Sequence, residues 1–333
     1  MTFTPLSRRA FGLTTLASLA TSPALAAGNG ASSGAPSGAP TRAIKLPIAK
    51  TGPAAGLTIT GLQNQAARSR RGSGATKPPL VIALHGGGFK SLYFDIPGYS
   101  LLEAAEQRGI PAIALDRPGS GGSTPLAPTA QIIAANAAVF NQVIGELWAQ
   151  WSHKAAGVFL IGHSIGGAVV TDIAGLQPAW PLLGIAISGC LLKTTDGGPL
   201  PEIPMIALPP EAIDHGMFGP AGSFAADMPQ ACHVAMAPVP RAELVDIGTT
   251  WTARVRDVAA RITVPVYSRQ AELDSLWIST PEQVAQFEAA FTRSPKAQSR
   301  IVPGVGHAID FHKVGAAFQA GQLDFAVQAA KRS

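Results

Sequence analysis

The stretch that most restricts this fold is Val158-Phe159-Leu160-Ile161-Gly162-His163-Ser164-Ile165-Gly166-Gly167, an apolar run ending in a serine held between glycines. It predicts a strand, a sharp turn and a helix running from Ile165 to about Gln177. Glycines flanking the serine let strand and helix pass close together without a Cβ clash. The serine is then forced into a cramped backbone conformation with its hydroxyl at the tip of the turn. A second Gly-x-Ser-x-Gly, from Gly30 to Gly34, has no strand before it and no helix after it, and reads as flexible linker.

Strand and helix signals alternate on either side of this turn. Segments at Ile44 to Ile48 and Leu57 to Leu62 read as opening antiparallel strands. Leu80 to Leu84 is apolar at every position, the mark of a strand covered on both faces. Strands follow at Pro111 to Leu115, Gly157 to Ile161, Leu183 to Ile187, Val264 to Tyr267 and Arg300 to Val302. Helices are expected at Leu101 to Arg108, at Thr129 to Trp151 with Asn136 alone breaking the apolar face, after Thr280 as N-cap, and from Phe311 to Ala330. This alternation predicts an α/β protein with a doubly wound, mostly parallel sheet. The rhythm breaks between about Leu191 and Ile262, where an inserted subdomain is expected. Four of the five methionines fall there, Met205, Met217, Met228 and Met236. They suit either an adaptable apolar wall over a pocket or the filling of an irregular core.

The amino terminus reads as an address. Ser7-Arg8-Arg9-Ala10-Phe11 resembles a twin-arginine export signal, followed by a mild apolar run and by the small-x-small triplet Ala24-Leu25-Ala26. Cleavage after Ala26 would give a bacterial periplasmic or secreted protein. Residues 27–42 read as a Gly/Ser/Ala/Pro linker, and 43–333 are expected to form the folded domain with its insertion at about 191–262. No apolar run beyond the amino terminus approaches the roughly 20 residues of a membrane helix. The formal charge of +5, less the two signal arginines, is +3. Arg68, Arg70 and Arg71 with Lys77 lie in a Gly/Ser loop without interleaved aromatics, so they read as a solvated hairpin tip and not a nucleic-acid surface. Cys190 and Cys232 lack metal-ligand spacing, and in an oxidising compartment a single disulfide is the leading reading.

Four motifs occur in a fixed order: His85-Gly86-Gly87-Gly88 after one strand, Asp116-Arg117-Pro118-Gly119-Ser120-Gly121-Gly122-Ser123 after the next, then Gly162-His163-Ser164-Ile165-Gly166, and finally an acid and a histidine after the late strands. Together they resemble the α/β-hydrolases, in the esterase and haloperoxidase-like branch, from about Leu80 to the end of the chain. That resemblance implies the α/β-hydrolase fold with a cap insertion, and an order of nucleophile, acid and base. Ser164 is the implied nucleophile. His307, in the Gly-rich loop after the last strand, is the implied base, while His163 shapes the elbow and His312, in the following helix, is expected to be solvated. His153, His215 and His233 fall in a helix end and in the insertion. Asp274 is the implied acid, within Ala271-Glu272-Leu273-Asp274, where alanine replaces the family's glycine. Glu272 and Asp196 remain alternatives.

A serine hydroxyl needs a base to take its proton, and attack on a carbonyl needs paired N–H donors for the oxygen that becomes negative. The resemblance places these donors at Ile165 and at Gly87, with Gly88 as neighbour or substitute. The expected reaction is hydrolysis of a carboxylic ester, lactone or thioester through an acyl-enzyme. Its partner is a small-molecule ester, with no metal or organic cofactor, no nucleic acid, and no reading of oligomeric state. Alternatives are an acyltransferase, perhydrolase or carbon-carbon bond hydrolase using the same residues, or a non-catalytic binding protein of this fold.

Overall fold

The computed structural model describes residues 41–66 and 77–332. The expected export signal, most of the expected linker and the basic tip at Arg68, Arg70 and Arg71 lie outside the described residues. Ten strands are named among the described residues: β1 (Arg42–Pro47), β2 (Thr58–Gln63), β3 (Leu80–Leu84), β4 (Ala112–Leu115), β5 (Val158–His163), β6 (Leu182–Ser188), the short pair β7 (Met205–Ile206) and β8 (Val239–Pro240), β9 (Val266–Ala271) and β10 (Ala297–Val302). Eight of them form one sheet in the order β1-β2-β4-β3-β5-β6-β9-β10. β1 and β2 pair antiparallel, as do β2 and β4, and every pairing from β4 onward is parallel.

The alternation of side chains along each strand divides the interior into two cores. Leu80, Ile82 and Leu84 of β3 join one, whereas Val81 and Ala83 join the other. The first core is closed by α2 (Ile132–Trp151), α3 (Ile165–Gly175), α7 (Thr252–Ala259) and α8 (Pro281–Ala290). The second is closed by α1 (Leu101–Gln107) and α9 (Gly315–Ala330). A sheet covered on both faces explains why its central strands are apolar throughout rather than alternating. By length and composition α2 could cross a membrane, contrary to the expectation that no such run follows the amino terminus. Its Ile133, Ala137, Phe140, Val143 and Ile144 pack in the first core. At α8, Thr280 caps the helix by accepting the Gln283 N–H, with Pro281 behind it, as the sequence predicts.

The irregular stretch after β6 divides into two parts. Its later part, α6 (Arg241–Asp246), a single π-helical turn at Ile247–Trp251, and α7, packs on α2, α3 and α8 as an ordinary crossover. The true excursion therefore ends near Pro240. It holds β7, α4 (Pro210–Met217), α5 (Met228–Cys232) and β8. Met217 and Met228 are buried in the second core, so these two fill space inside the fold.

The expected disulfide is absent: Cys190 and Cys232 are both free and buried. Cys190 belongs to the first core and Cys232 to the second. Thiol titration of the unfolded, unreduced protein is expected to count two thiols. Tight approach at the turn after β5 gives a second expectation. A Cβ on Gly166 would sit on the carbonyl oxygens of Leu84 and His85, backbone atoms that cannot step aside. Gly166→Ala should therefore lower unfolding free energy by about 3 kcal/mol or more, measured by urea denaturation.

Candidate active site

The candidate side chains lie at the carboxyl ends of β3, β5, β6, β9 and β10, where parallel strands deliver loops to a common edge. Ser164 follows β5 with φ 54° and ψ −123°, and among the described non-glycine residues only Gln177 shares a positive φ. Such a backbone costs on the order of 1–3 kcal/mol and persists only where its surroundings enforce it. Enforcement comes from Gly162 and Gly166: a Cβ on Gly162 would overlap Gly166, and one on Gly166 would overlap the end of β3. The Ser164 N–H donates to Ser188 O at 2.8 Å, tying the turn to the end of β6. Ser164 keeps 9% of its surface exposed.

His307 lies in the loop after β10. Its Nδ1 donates to Asp274 Oδ2 at 2.8 Å, and both side chains are fully covered. A carboxylate only accepts, so this bond puts the imidazole proton on Nδ1 and leaves the lone pair on Nε2. That Nε2 is buried and has no hydrogen-bond partner; the bond to Ser164 Oγ is not made. The two residues nonetheless share one corner. The rings of His163 and His307 lie 4.8 Å apart, and a Cβ on Gly189, next to Ser188, would touch both. Bonds of this kind often tighten only when a substrate is bound.

Asp274 is fixed by its own turn, Oδ1 accepting the N–H groups of Leu276 and Trp277. The two alternative acids are elsewhere. Glu272 is exposed and accepts the Gly304 N–H, while Asp196 is exposed and accepts the Gly198 N–H.

The other histidines divide by environment. His153 and His215 are exposed. His163 stacks on Tyr93 with ring centroids 4.8 Å apart, and burial, with His307 and His85 nearby, holds its pKa well below the ordinary value. The Tyr93 hydroxyl in turn donates to buried Asp310. His312 is not solvated as expected. It is buried, because the helix begins only at Gly315, and its Nε2 accepts the N–H of Gly306 at 3.0 Å and of Gly219 at 3.1 Å. Its Nδ1 donates to Ala308 O. The residue before His307 is thus held against the inserted segment, and Gly219 and Gly306 approach so closely that neither has room for a Cβ.

Gly86 and Gly87 run beside Ser164 and Ile165: a Cβ on Gly86 would meet Ser164 Cβ, and one on Gly87 would meet Ile165 Cδ1. No hydrogen bond from the Gly87 N–H occurs among the described residues. The Ile165 N–H opens α3 and has no acceptor within its own helix. One group of three could hold a metal among the described residues, Asp214, Cys232 and His233 in the inserted segment, with ligand atoms within 4.8 Å of one another. Each is already partnered within the protein. His233 Nε2 bonds Asp214 at 2.9 Å, and the Cys232 thiol, pushed up to about 12 by burial and by Asp214, donates to Pro229 O. A surface groove of about 590 Å³ between α8 and β10 includes neither Ser164, Asp274 nor His307.

The sequence of residues 81–317 matches the model of the alpha/beta hydrolase family. The chain belongs to that family. No curated sequence matches it. Among solved structures, a Paleococcus ferrophilus monoacylglycerol lipase is 20% identical, with a TM-score of 0.58 covering 76% of this chain and 96% of that one. A thermophilic esterase from Thermogutta terrifontis is 15% identical, with a TM-score of 0.57 over 81% and 94%. An N-acyl homoserine lactonase complexed with N-butanoyl homoserine is 17% identical, with a TM-score of 0.59 over 86% and 97%. At these identities the likeness is one of fold. As an alpha/beta hydrolase, the chain carries the turn at Ser164 and the loops with Asp274 and His307 at the edge where parallel sheets of this kind bind ligands.

Burial of His312 gives a pH prediction. In the folded protein its Nε2 is committed as an acceptor, and burial lowers its pKa, whereas in the unfolded chain a histidine titrates near 6.5. Below about pH 6.5 the unfolded state takes up a proton that the folded state refuses, so stability falls as the pH falls and levels off above that value. His312→Gln should therefore shrink the loss of unfolding free energy between pH 7.5 and 5.5 by up to about 1.4 kcal/mol. Urea denaturation at the two pH values measures it, and an unchanged pH dependence would count against a neutral, accepting His312.

Proposed function

We propose that this alpha/beta hydrolase is a serine esterase that cleaves a carboxylic ester, lactone or thioester through an acyl-enzyme. The observation carrying the reading is the covered His307–Asp274 pair, whose free Nε2 is buried in the same corner as the strained, part-exposed Ser164. In this mechanism Ser164 Oγ attacks the carbonyl carbon while His307 Nε2 takes the hydroxyl proton. Asp274 holds the imidazole in the needed tautomer and stabilises the imidazolium. The N–H groups of Gly87 and Ile165 receive the developing oxyanion, with the amino-terminal end of α3 adding its dipole. His307 returns the proton to the leaving alcohol, and water then repeats the sequence on the acyl-enzyme.

The substrate class rests on the walls. Beside Gly87 and Gly88 lie Ile165, Val239, Ile213 and Leu208, the last three from the inserted segment. An apolar lining of this kind favours an apolar acyl or alcohol group. The ester, lipase and lactonase activities in the names of the structural neighbours fall in the same class of acyl transfer to water. Export is part of the proposal, supported by Arg8-Arg9 and Ala24-Leu25-Ala26.

Ser164→Ala and His307→Ala should each lower kcat on p-nitrophenyl butyrate by about 10⁴-fold or more, and Asp274→Asn by about 10⁴-fold. A fluorophosphonate should label the natural protein but not Ser164→Ala. Glu272→Gln and Asp196→Asn should stay within a few-fold. Full turnover by Ser164→Ala would overturn the mechanism, and Asp196→Asn or Glu272→Gln matching Asp274→Asn would reassign the acid.

A further inference from the structure

The loop His85-Gly86-Gly87-Gly88 has almost every carbonyl held from behind. His85 O accepts Arg117 Nε at 2.9 Å, Gly86 O accepts both Arg117 Nη2 at 3.2 Å and His85 Nδ1 at 2.8 Å, and Gly88 O accepts the Ala237 N–H at 2.9 Å. The described residues contain no cis peptide, and in a trans peptide the C=O and the following N–H point in opposite directions. Anchoring Gly86 O on the Arg117 side therefore turns the Gly87 N–H away from Arg117. His85 is locked into one tautomer by the same residue, since its Nε2 accepts the Arg117 backbone N–H at 3.0 Å, leaving Nδ1 to donate.

Arg117 has no exposed surface, and its remaining arm, Nη1, pairs with Glu243, also wholly buried. Glu243 lies on α6, on the return from the inserted segment, and its Oε1 also receives Asn136 Nδ2 from α2. A guanidinium suits this place because its fixed fork can meet two carbonyls and a carboxylate at once, which a lysine ammonium on one flexible stem cannot. A pair added only for stability is a poor explanation, because taking two charges out of water offsets most of what their attraction contributes.

We propose that Arg117, held by Glu243, is the positioning residue of the oxyanion-binding loop: it fixes the Gly86 carbonyl so that the Gly87 N–H stays aimed at the substrate oxygen. Glu243 makes that aim depend on the segment returning from the insertion. The inference rests on the proposed acyl-enzyme mechanism and adds two residues to it that touch neither substrate nor nucleophile.

The test replaces both charges at once. Arg117→Met with Glu243→Leu removes the pair and leaves apolar groups of similar volume, a change that buried ion pairs often tolerate without loss of stability. A purely structural pair predicts a double variant with natural kcat. Loss of positioning predicts a double variant whose thermal midpoint recovers relative to either single variant while kcat on p-nitrophenyl butyrate stays about 10- to 1,000-fold low, with KM within about threefold. Affinity for a trifluoromethyl ketone, whose adduct with Ser164 carries an oxyanion, should fall in step with kcat/KM. Arg117→Lys, which keeps the charge but not the fork, covers the case in which the double variant does not fold, and should lose at least tenfold in kcat. Natural kcat in either the folded double variant or Arg117→Lys would overturn the proposal. A natural protein with neither turnover nor fluorophosphonate labelling would overturn the underlying serine mechanism, and this inference with it, so the two failures are told apart.

Discussion

The site depends on one close approach, that of the first turn of α3 to the end of β3. Gly166 rests on the carbonyls of Leu84 and His85, and the chain between Gly162 and Gly166 has room for a single residue off the ordinary backbone map. That residue is Ser164. The same contact sets Ser164 beside Gly86 and Gly87, so one packing event places both the serine hydroxyl and the loop facing it. The free energy held in the serine backbone, on the order of 1–3 kcal/mol, is offset by the two apolar cores that press β5 and α3 together.

The inserted segment and the helix that follows it are joined to this site at several points. Ala237 holds the carbonyl of Gly88, Gly219 shares His312 with the residue before His307, and Glu243, just past the excursion, pairs with Arg117. Two of these contacts bear on the loop beside Ser164 and one on the loop carrying the imidazole. The segment also contributes Ile213, Met217, Met228 and Cys232 to the second core. It is part of the folded body over these contacts, and a motion that lifted it would break buried hydrogen bonds in both loops.

Much of this arrangement was legible in the sequence because it is written locally. The strand at Leu80–Leu84, the turn at Ser164 and the cap at Thr280 each depend on neighbours in the chain, and each lies where the residues predicted. Chain order singled out His307 and Asp274, and the structure brings the two side chains together while holding Glu272 and Asp196 apart. What was illegible is long-range. Glu243 sits 126 residues from Arg117, and nothing around it marks it as buried. The one available hint was Asn136, a lone polar residue on an apolar helix face, which proves to point at that glutamate. His312 was illegible because the closing helix starts later than its apolar spacing suggests, and the cysteines because pairing rules based on compartment say nothing about which core each thiol enters.

The facing glycines at 219 and 306 carry a consequence for redesigning the space beside Ser164. Residues 206–240 are the natural place to introduce diversity, since they wall the space beside Gly87 and Gly88. Yet position 219 meets the histidine loop backbone to backbone, so any side chain added there would displace the imidazole before it reshaped the cavity. Libraries or grafted segments built on this scaffold would need to treat residue 219 as part of the mounting of His307 and leave it bare.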